Sequence, residues 1–500
     1  MSEFLSPYQF IPVTGTINGE ARRIRATDIA RGLTTHPAHH DLWQPEMRSG
    51  RIICRVHLDT PIVVGREQVD KPTTQVMPYR RNDQPAIPGS SLRGMVSSLA
   101  EALSQSSLRV LEDRDLVVSK RLDSQRTIPL AAGAVHEYFR AIDPDLVPWK
   151  TPKPPHRNIL TPAELLFGVV DERGDDSDDD TDPPFHLASR VRFSDALPHP
   201  KRPPIPGPEV MLKELASPKG YPAMYFHPDG CRGDFVAKEA FYTPNGAFQP
   251  AYRPNGRKVY LHHRAHEVRE AFWVTRNYDP KSIKRKVRCT PICNHCYGNV
   301  DSDLWFHVDF ENLSKAELTL VMKSLRPSTE FRHRLGLGKP LGLGTVEVAV
   351  EGVFFIDRVA RYTTDPLDAA RHHCVWRAAP LAAEYPWAWR YREEAGRLSQ
   401  INASALDVSP RPNFWDPALI DDETLAIVKA LGNPALVRAP VHTPTVDGFG
   451  PEERTFEWFV ANESSASPQA LPKVDPDRPL TVLRSYPRHR GHGGGGRARR

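Results

Sequence analysis

The chain has 500 residues, 39% of them hydrophobic and 25% charged, enough for two to four ordinary domains or for one domain swollen by insertions. Nothing in it approaches the roughly 18 uncharged apolar residues of a membrane span, six cysteines make no disulfide framework, and 49 prolines with 31 glycines foretell much loop-built chain. The formal net charge is +5, but acid is concentrated in the run 171–182 while Arg, Lys and His gather at 253–288 and 323–339, a distribution that suits a polyanionic partner.

The first residues, Met1 to Pro7, lack a basic region followed by an apolar run, so a cytoplasmic location and no membrane partner are expected. Residues 1–50 read as a polar lead-in with one short apolar stretch, Tyr8 to Val13. Arg51 to Val64 reads as a strand ending at Gly65, and Arg66 to Pro85 as a polar stretch without periodicity. Ala86 to Met95 is a turn entering a helix, with Val96, Leu99, Ala100 and Leu103 at helical spacing and Ser90 or Ser91 as the natural N-cap.

Pro-rich segments at 148–163 and 198–208 bracket a unit that contains the acidic run. Leu304 to Phe310 alternates as a strand. Ser314 to Leu325 follows as a helix, with Ser314 capping, Glu317 three residues on, and Leu318, Val321, Met322 and Leu325 as its apolar face. Thr345 to Phe355 is another strand. The extension 356–460 has helical pieces around Pro366–Trp376 and Asp421–Ala430. Residues 461–500 turn to Ser, Pro, Gly and Arg and read as a disordered basic tail. The expected layout is a lead-in 1–50, a core 51–355 interrupted at about 105–300, the extension, and the tail.

Two motifs carry chemistry. The segment Arg334 to Gly344 has glycines at 336, 338, 342 and 344, which let backbone amides approach a phosphate, with Arg332, Arg334 and Lys339 supplying charge. It is not a nucleotide-hydrolase phosphate loop or a dinucleotide fingerprint. Pro340 follows the Gly-Lys pair, and a strand follows the loop where those motifs have a helix. The second motif, Cys289-x3-Cys293-x2-Cys296, has zinc-ligand spacing, with His295, Cys231, His262, His263 or His266 as the fourth ligand of a structural Zn2+ site.

Ile87 to Gly94 and the glycine-rich loop together resemble the RAMP superfamily of CRISPR type III effectors. Three more stretches share the resemblance: Leu165 to Gly168 with Ser189 to Asp195, Gly256 to His263, and Phe310 to Ser314. It covers residues 8–355. It implies an α+β fold, a modified RNA-recognition motif of ferredoxin-like βαββαβ type with long insertions, a thumb and a zinc-binding insertion. The first strand would be Arg51–Val64 and the first helix Leu92–Leu103.

It implies as partners a guide CRISPR RNA, complementary target RNA and other RAMP-type subunits. Guide phosphates would be gripped by Ser90, Ser91 and Arg93 at the first helix and by Arg334, Gly336, Gly338, Lys339, Gly342 and Gly344. A helix N-terminus does offer free amides and a positive pole to a phosphate, and base pairing then reads sequence. In catalytic members a loop aspartate between first strand and first helix helps cut target RNA with Mg2+ or another divalent metal. Here that implies Asp70, with Glu67 and Asp83 as lesser choices, or Asp41 with His40 as proton carrier. Some members only hold RNA, and a zinc-containing nucleic-acid-binding protein outside CRISPR is the further alternative.

Overall fold

The computed structural model describes residues 2–13, 24–25, 44–69, 73–108, 117–119, 127–129, 159–170, 186–198, 203–213, 226–228, 252–254, 256–264, 268, 274–275, 287–293, 303–356, 372–377, 414–444, 446, 455–465, 469–471, 474–477 and 480–487. In chain order the central elements are β1 (Arg48–Leu58), α1 (Gly89–Leu103), β2 (Val191–Phe193), β3 (Leu304–Leu313), α2 (Lys315–Leu325), β4 (Thr345–Ile356), β5 (His372–Arg377) and α3 (Asp422–Leu431). The chain is α+β. Its main sheet has the order β2-β3-β1-β4, with β5 and the short strand His333–Arg334 on the far side of β4. All neighbouring pairs are antiparallel. With α1 after β1 and α2 after β3, the connectivity through β4 is βαββαβ.

Alternation decides which face each strand buries. On β1, Ile52, Cys54, Val56 and Leu58 join one core with Phe306 and Val308 of β3, Val346 and Val348 of β4, and the helical residues Leu92, Val96, Leu318, Val321 and Leu325. Each such side chain stabilises by about 1.5–3 kcal/mol when removed from water. Helix α2 starts as its sequence predicts: Ser314 accepts from the Glu317 amide at 3.2 Å while Glu317 accepts from the Ser314 amide at 2.9 Å. Helix α3 is capped by Asp421 and docks on the end of α1, where the Asp421 amide donates to the Leu103 carbonyl at 2.8 Å.

Several expectations are corrected. Helix α1 begins at Gly89, its N-cap is Pro88, and neither Ser90 nor Ser91 caps it. The Asp195 carboxylate, distant in sequence, takes the Gly89 amide at 2.8 Å. The polar stretch 66–85 is built of strands: Gly65–Val69 pairs with Thr74–Pro78, and Arg80–Arg81 with Gln84–Pro85 across Asn82 (φ 48°) and Asp83 (φ 60°). Periodicity fails there because these strands lie outside the main core, Thr74–Pro78 pairing instead with Val287–Cys289.

Residues 1–50 are more than a lead-in. Strand Tyr8–Ile11 is buried at every position and pairs with Arg257–Tyr260. Residues 372–377, where a helical piece was expected, form strand β5 on the edge of β4. The described part of the expected tail is ordered too: Leu483–Arg484 pairs with Glu3–Phe4, and Leu471 and Leu483 pack with Phe4 and Trp458. Averaged composition hid those few large apolar residues among Ser and Pro. The run 171–182 and residues 488–500 lie outside the described residues. Among the described residues no helix is long and apolar enough to cross a membrane.

Candidate functional site

Topology brings the two phosphate-binding candidates to one end of the sheet. Leu58, the last residue of β1, is opposite Val346 near the start of β4, and Val56 is opposite Leu304 at the start of β3. The loop entering β4 and the N-terminus of the helix leaving β1 therefore share an edge. A continuous hydrogen-bonded path joins them. Pro61 accepts from the Gly344 amide and Val63 from the Leu337 amide, both at 2.9 Å, and Val64 accepts from the Tyr79 amide at 3.0 Å. The Tyr79 hydroxyl donates to Asp195 at 2.7 Å, and the other oxygen of Asp195 holds the Gly89 amide.

The glycine loop needs its glycines. Gly336 and Gly344 have φ of +81° and +83°, and a Cβ on them would lie 2.4 Å from the Val63 carbonyl oxygen and 1.9 Å from that of Leu335. Most loop amides are already engaged. Leu335 donates to Gly344, Leu341 and Leu343 to Gly338, Gly342 to Lys339, and Thr345 to the Thr60 hydroxyl. Among the described residues the amides of Gly336, Gly338 and Lys339 make no backbone hydrogen bond. These three are the donors the loop can offer an anion. The amides of Gly342 and Gly344 belong to the scaffold.

The cations divide likewise. Arg332 is bound to Asp59 at 2.7 Å and Glu347 at 3.2 Å on the sheet. Arg334 is half-buried in the loop with its Nε shielded from water, and burial pushes its guanidinium down to about 9. Burial also lowers Lys339, with Arg334 adding to the effect. On α1, Ser90 and Arg93 are exposed and Ser91 is half-buried. Arg93 gives one donor to the Phe167 carbonyl.

The sheet face opposite the helices is filled by ion pairs. Arg51 grips Asp309 through two bonds of 2.6 and 2.9 Å, while Arg55 reaches Asp303 at 2.7 Å and Glu351 at 2.8 Å. His57 Nδ1 lies 2.8 Å from Asp303. Burial alone would raise the Asp303 carboxyl, yet hydrogen bonds and charge from His57 and Arg55 hold it below its ordinary value. Arg51, Arg55 and His57 of β1 are thus each tied to a carboxylate on this face.

The cysteine segment clasps the other side of Pro61–Val64. Ile62 and Ile292 exchange both backbone hydrogen bonds at 2.9 Å. Cys289 packs with Val63, Val210, Leu212 and Leu343, and burial pushes its thiol up to about 12. Zinc needs thiolates, so loading requires Cys289 to lose its proton. His262 cannot be the fourth ligand, because both ring nitrogens are engaged, with the Thr345 hydroxyl at 3.1 Å and the Arg332 carbonyl at 3.0 Å. His263 keeps a buried Nε2 without a partner among the described residues.

His40, Asp41, Asp70, Cys231, His266, His295 and Cys296 lie outside the described residues. Of the lesser carboxylates, Glu67 is on strand Gly65–Val69 and Asp83 is exposed at the Arg80–Pro85 turn. Among the described residues no three metal-ligating side chains cluster. Sequence reading missed the Tyr79–Asp195 clasp and the role of Pro61–Val64. The local signal for it is that Asp195 ends the segment Ser189 to Asp195.

A family model described as the RAMP superfamily matches residues 55–347. No curated protein matches the chain. Among solved structures, the crystal structure of Csc2 from Thermofilum pendens is similar at 13% identity and a TM-score of 0.24, the match covering 61% of this chain and 66% of Csc2. The chain thus spans just under two thirds of that protein.

Proposed function

The chain belongs to the RAMP superfamily, whose members work in CRISPR effector complexes, and on that premise we propose that it is a type III effector subunit that holds guide CRISPR RNA and positions complementary target RNA for cleavage. The observation that carries this reading is the shared edge. The unengaged amides of Gly336, Gly338 and Lys339 stand at the same end of the sheet as the α1 N-terminus with its exposed Ser90 and Arg93. Amides and cations of this kind recognise a sugar-phosphate chain without reading its bases.

Expression with a repeat–spacer transcript tests it. RNA of discrete length with a constant repeat-derived end should copurify. Lys339→Ala and Arg93→Ala should each weaken binding equally across spacer sequences and reduce the salt slope by about 0.7 for each lost single-strand contact. Failure to retain RNA, or sequence-selective loss, contradicts the reading.

Target cleavage is assigned to Asp70 or Asp41, with His40 as proton carrier. A divalent metal such as Mg2+ would supply charge stabilisation there. The assembled complex with complementary RNA and Mg2+ should give regularly spaced cuts that vanish in Asp70→Ala or Asp41→Ala. Intact target in the unaltered complex would leave the holding role alone. The same reading gives Cys289, Cys293 and Cys296 a structural Zn2+ in the reduced protein. Other RAMP-type subunits are the proposed protein neighbours and the cytoplasm the proposed location.

A further inference from the structure

Arg334 is charged and sits half-buried in the glycine loop, yet among the described residues it makes no ion pair and its Nε is buried. Its Nη1 donates to the Thr345 hydroxyl at 2.6 Å and to the Gly342 carbonyl at 3.3 Å, and its Nη2 donates to the Lys339 carbonyl. Guanidinium groups only donate and carbonyls only accept, so these bonds fix the Lys339 and Gly342 oxygens toward the loop interior. Thr60 adds a second donor to the Gly342 oxygen at 3.1 Å.

The relay continues with a settled direction. His262 Nε2 faces the Arg332 carbonyl at 3.0 Å, which can only accept, so Nε2 carries the proton. Neutral His262 then presents a bare Nδ1 to the Thr345 hydroxyl at 3.1 Å. Thr345 accepts from Arg334 and donates to His262. The Thr345 hydroxyl and the His262 ring each have one place for their hydrogen, while the buried Nε of Arg334 keeps its own without a partner among the described residues.

We infer that Arg334 is a positioning residue: by pinning the Lys339 and Gly342 carbonyls inward it leaves the amides of Gly336, Gly338 and Lys339 to an RNA phosphate that Arg334 itself does not touch. This role rests on the reading of the loop as an RNA grip.

The test uses the full chain and a 5′-labelled guide RNA, with affinity measured across a range of salt. Thr345→Val breaks the relay without changing charge, so affinity should fall about fivefold at every salt, with the salt slope unchanged. Hydrogen exchange at the Gly342 and Gly344 amides should accelerate in the RNA-free variant. Arg334→Lys keeps the charge but cannot span three acceptors and should show the same pattern. The double variant should be no weaker than Arg334→Lys alone, because the two residues act through one network. Lys339→Ala should by contrast flatten the salt slope.

An Arg334→Lys protein that keeps its affinity, with Thr345→Val silent, means that Arg334 is no positioning residue and overturns this role alone. An unaltered protein without RNA affinity overturns the RNA reading and this role with it.

Discussion

Arg190 is the arginine most deeply built into the described fold, at 2% exposure. Its Nε donates to the Leu165 carbonyl at 3.1 Å, and its Nη1 to the Asn312 carbonyl at 2.8 Å and Glu317 at 3.2 Å, with Nη2 closing the pair on the second Glu317 oxygen. It therefore ties the segment after helix Pro162–Phe167 to the end of β3 and the first turn of α2. Arg190→Met leaves the Glu317 carboxylate buried without its cation, which typically costs about 3–5 kcal/mol. Removing both charges is far milder, since a buried pair can often be replaced by apolar groups at little cost. The double variant Arg190→Met with Glu317→Met should thus recover most of that loss. About 1 kcal/mol will remain lost, because Glu317 also closes the α2 capping box.

Urea unfolding of the two single variants and the double variant, with the m-value checked for constancy, measures the coupling. An Arg190→Met cost below about 1 kcal/mol, or a double variant weaker than the sum of the singles, refutes the reasoning. The salt slope of RNA binding should not change in either case, because Arg190 supports the fold and stands apart from the loop.

Acid should destabilise the protein through its histidines. Burial, with help from Arg334 or Arg51, pushes His263 down to about 3 and His307 to about 4, burial alone takes His333 to about 4, and His262 is lowered in the same way. Folded, they stay neutral while the unfolded chain takes up protons below about pH 6.5, so each removes up to about 1.4 kcal/mol per pH unit as pH falls from there toward its folded value. A urea midpoint that is flat between pH 7 and 5 contradicts this. Gly344→Ala should cost at least about 2 kcal/mol, from its left-handed φ and the overlap with the Leu335 carbonyl. Gly94→Ala, in α1 with open space around its Cβ, should stabilise by about 0.5–1 kcal/mol; thermal melts separate the two. Elemental analysis should find zinc in the reduced protein and none in Cys293→Ser, with a lower melting temperature; equal metal content in both contradicts the cysteine site.

The elements legible in the sequence are those whose information is local. Ser314 and Glu317 announce α2 within four residues, and alternation on Leu304–Phe310 announces β3 because one face is buried and the other wet. What stayed hidden depends on partners far along the chain. Asp195 caps α1 across 106 positions and Arg190 meets Glu317 across 127. The Gly65–Pro85 strands escaped because their partners come partly from Val287–Cys289 and they bury little of the main core. At the site, the glycines declared a tight loop, but spacing alone does not say which amides remain available. That followed only once the Pro61 and Val63 carbonyls were seen to take the Gly344 and Leu337 amides.

The pairing of Glu3–Phe4 with Leu483–Arg484, reinforced by Ser2 and Ser485 hydroxyls 2.8 Å apart, turns the described chain into a closed ring. A short linker between residues 2 and 487 would suffice for circular permutation, with new openings cut elsewhere. Deleting everything after residue 482 would instead strip the cover from Phe4 and Trp458, turning a trimming experiment into a source of sticky, insoluble product.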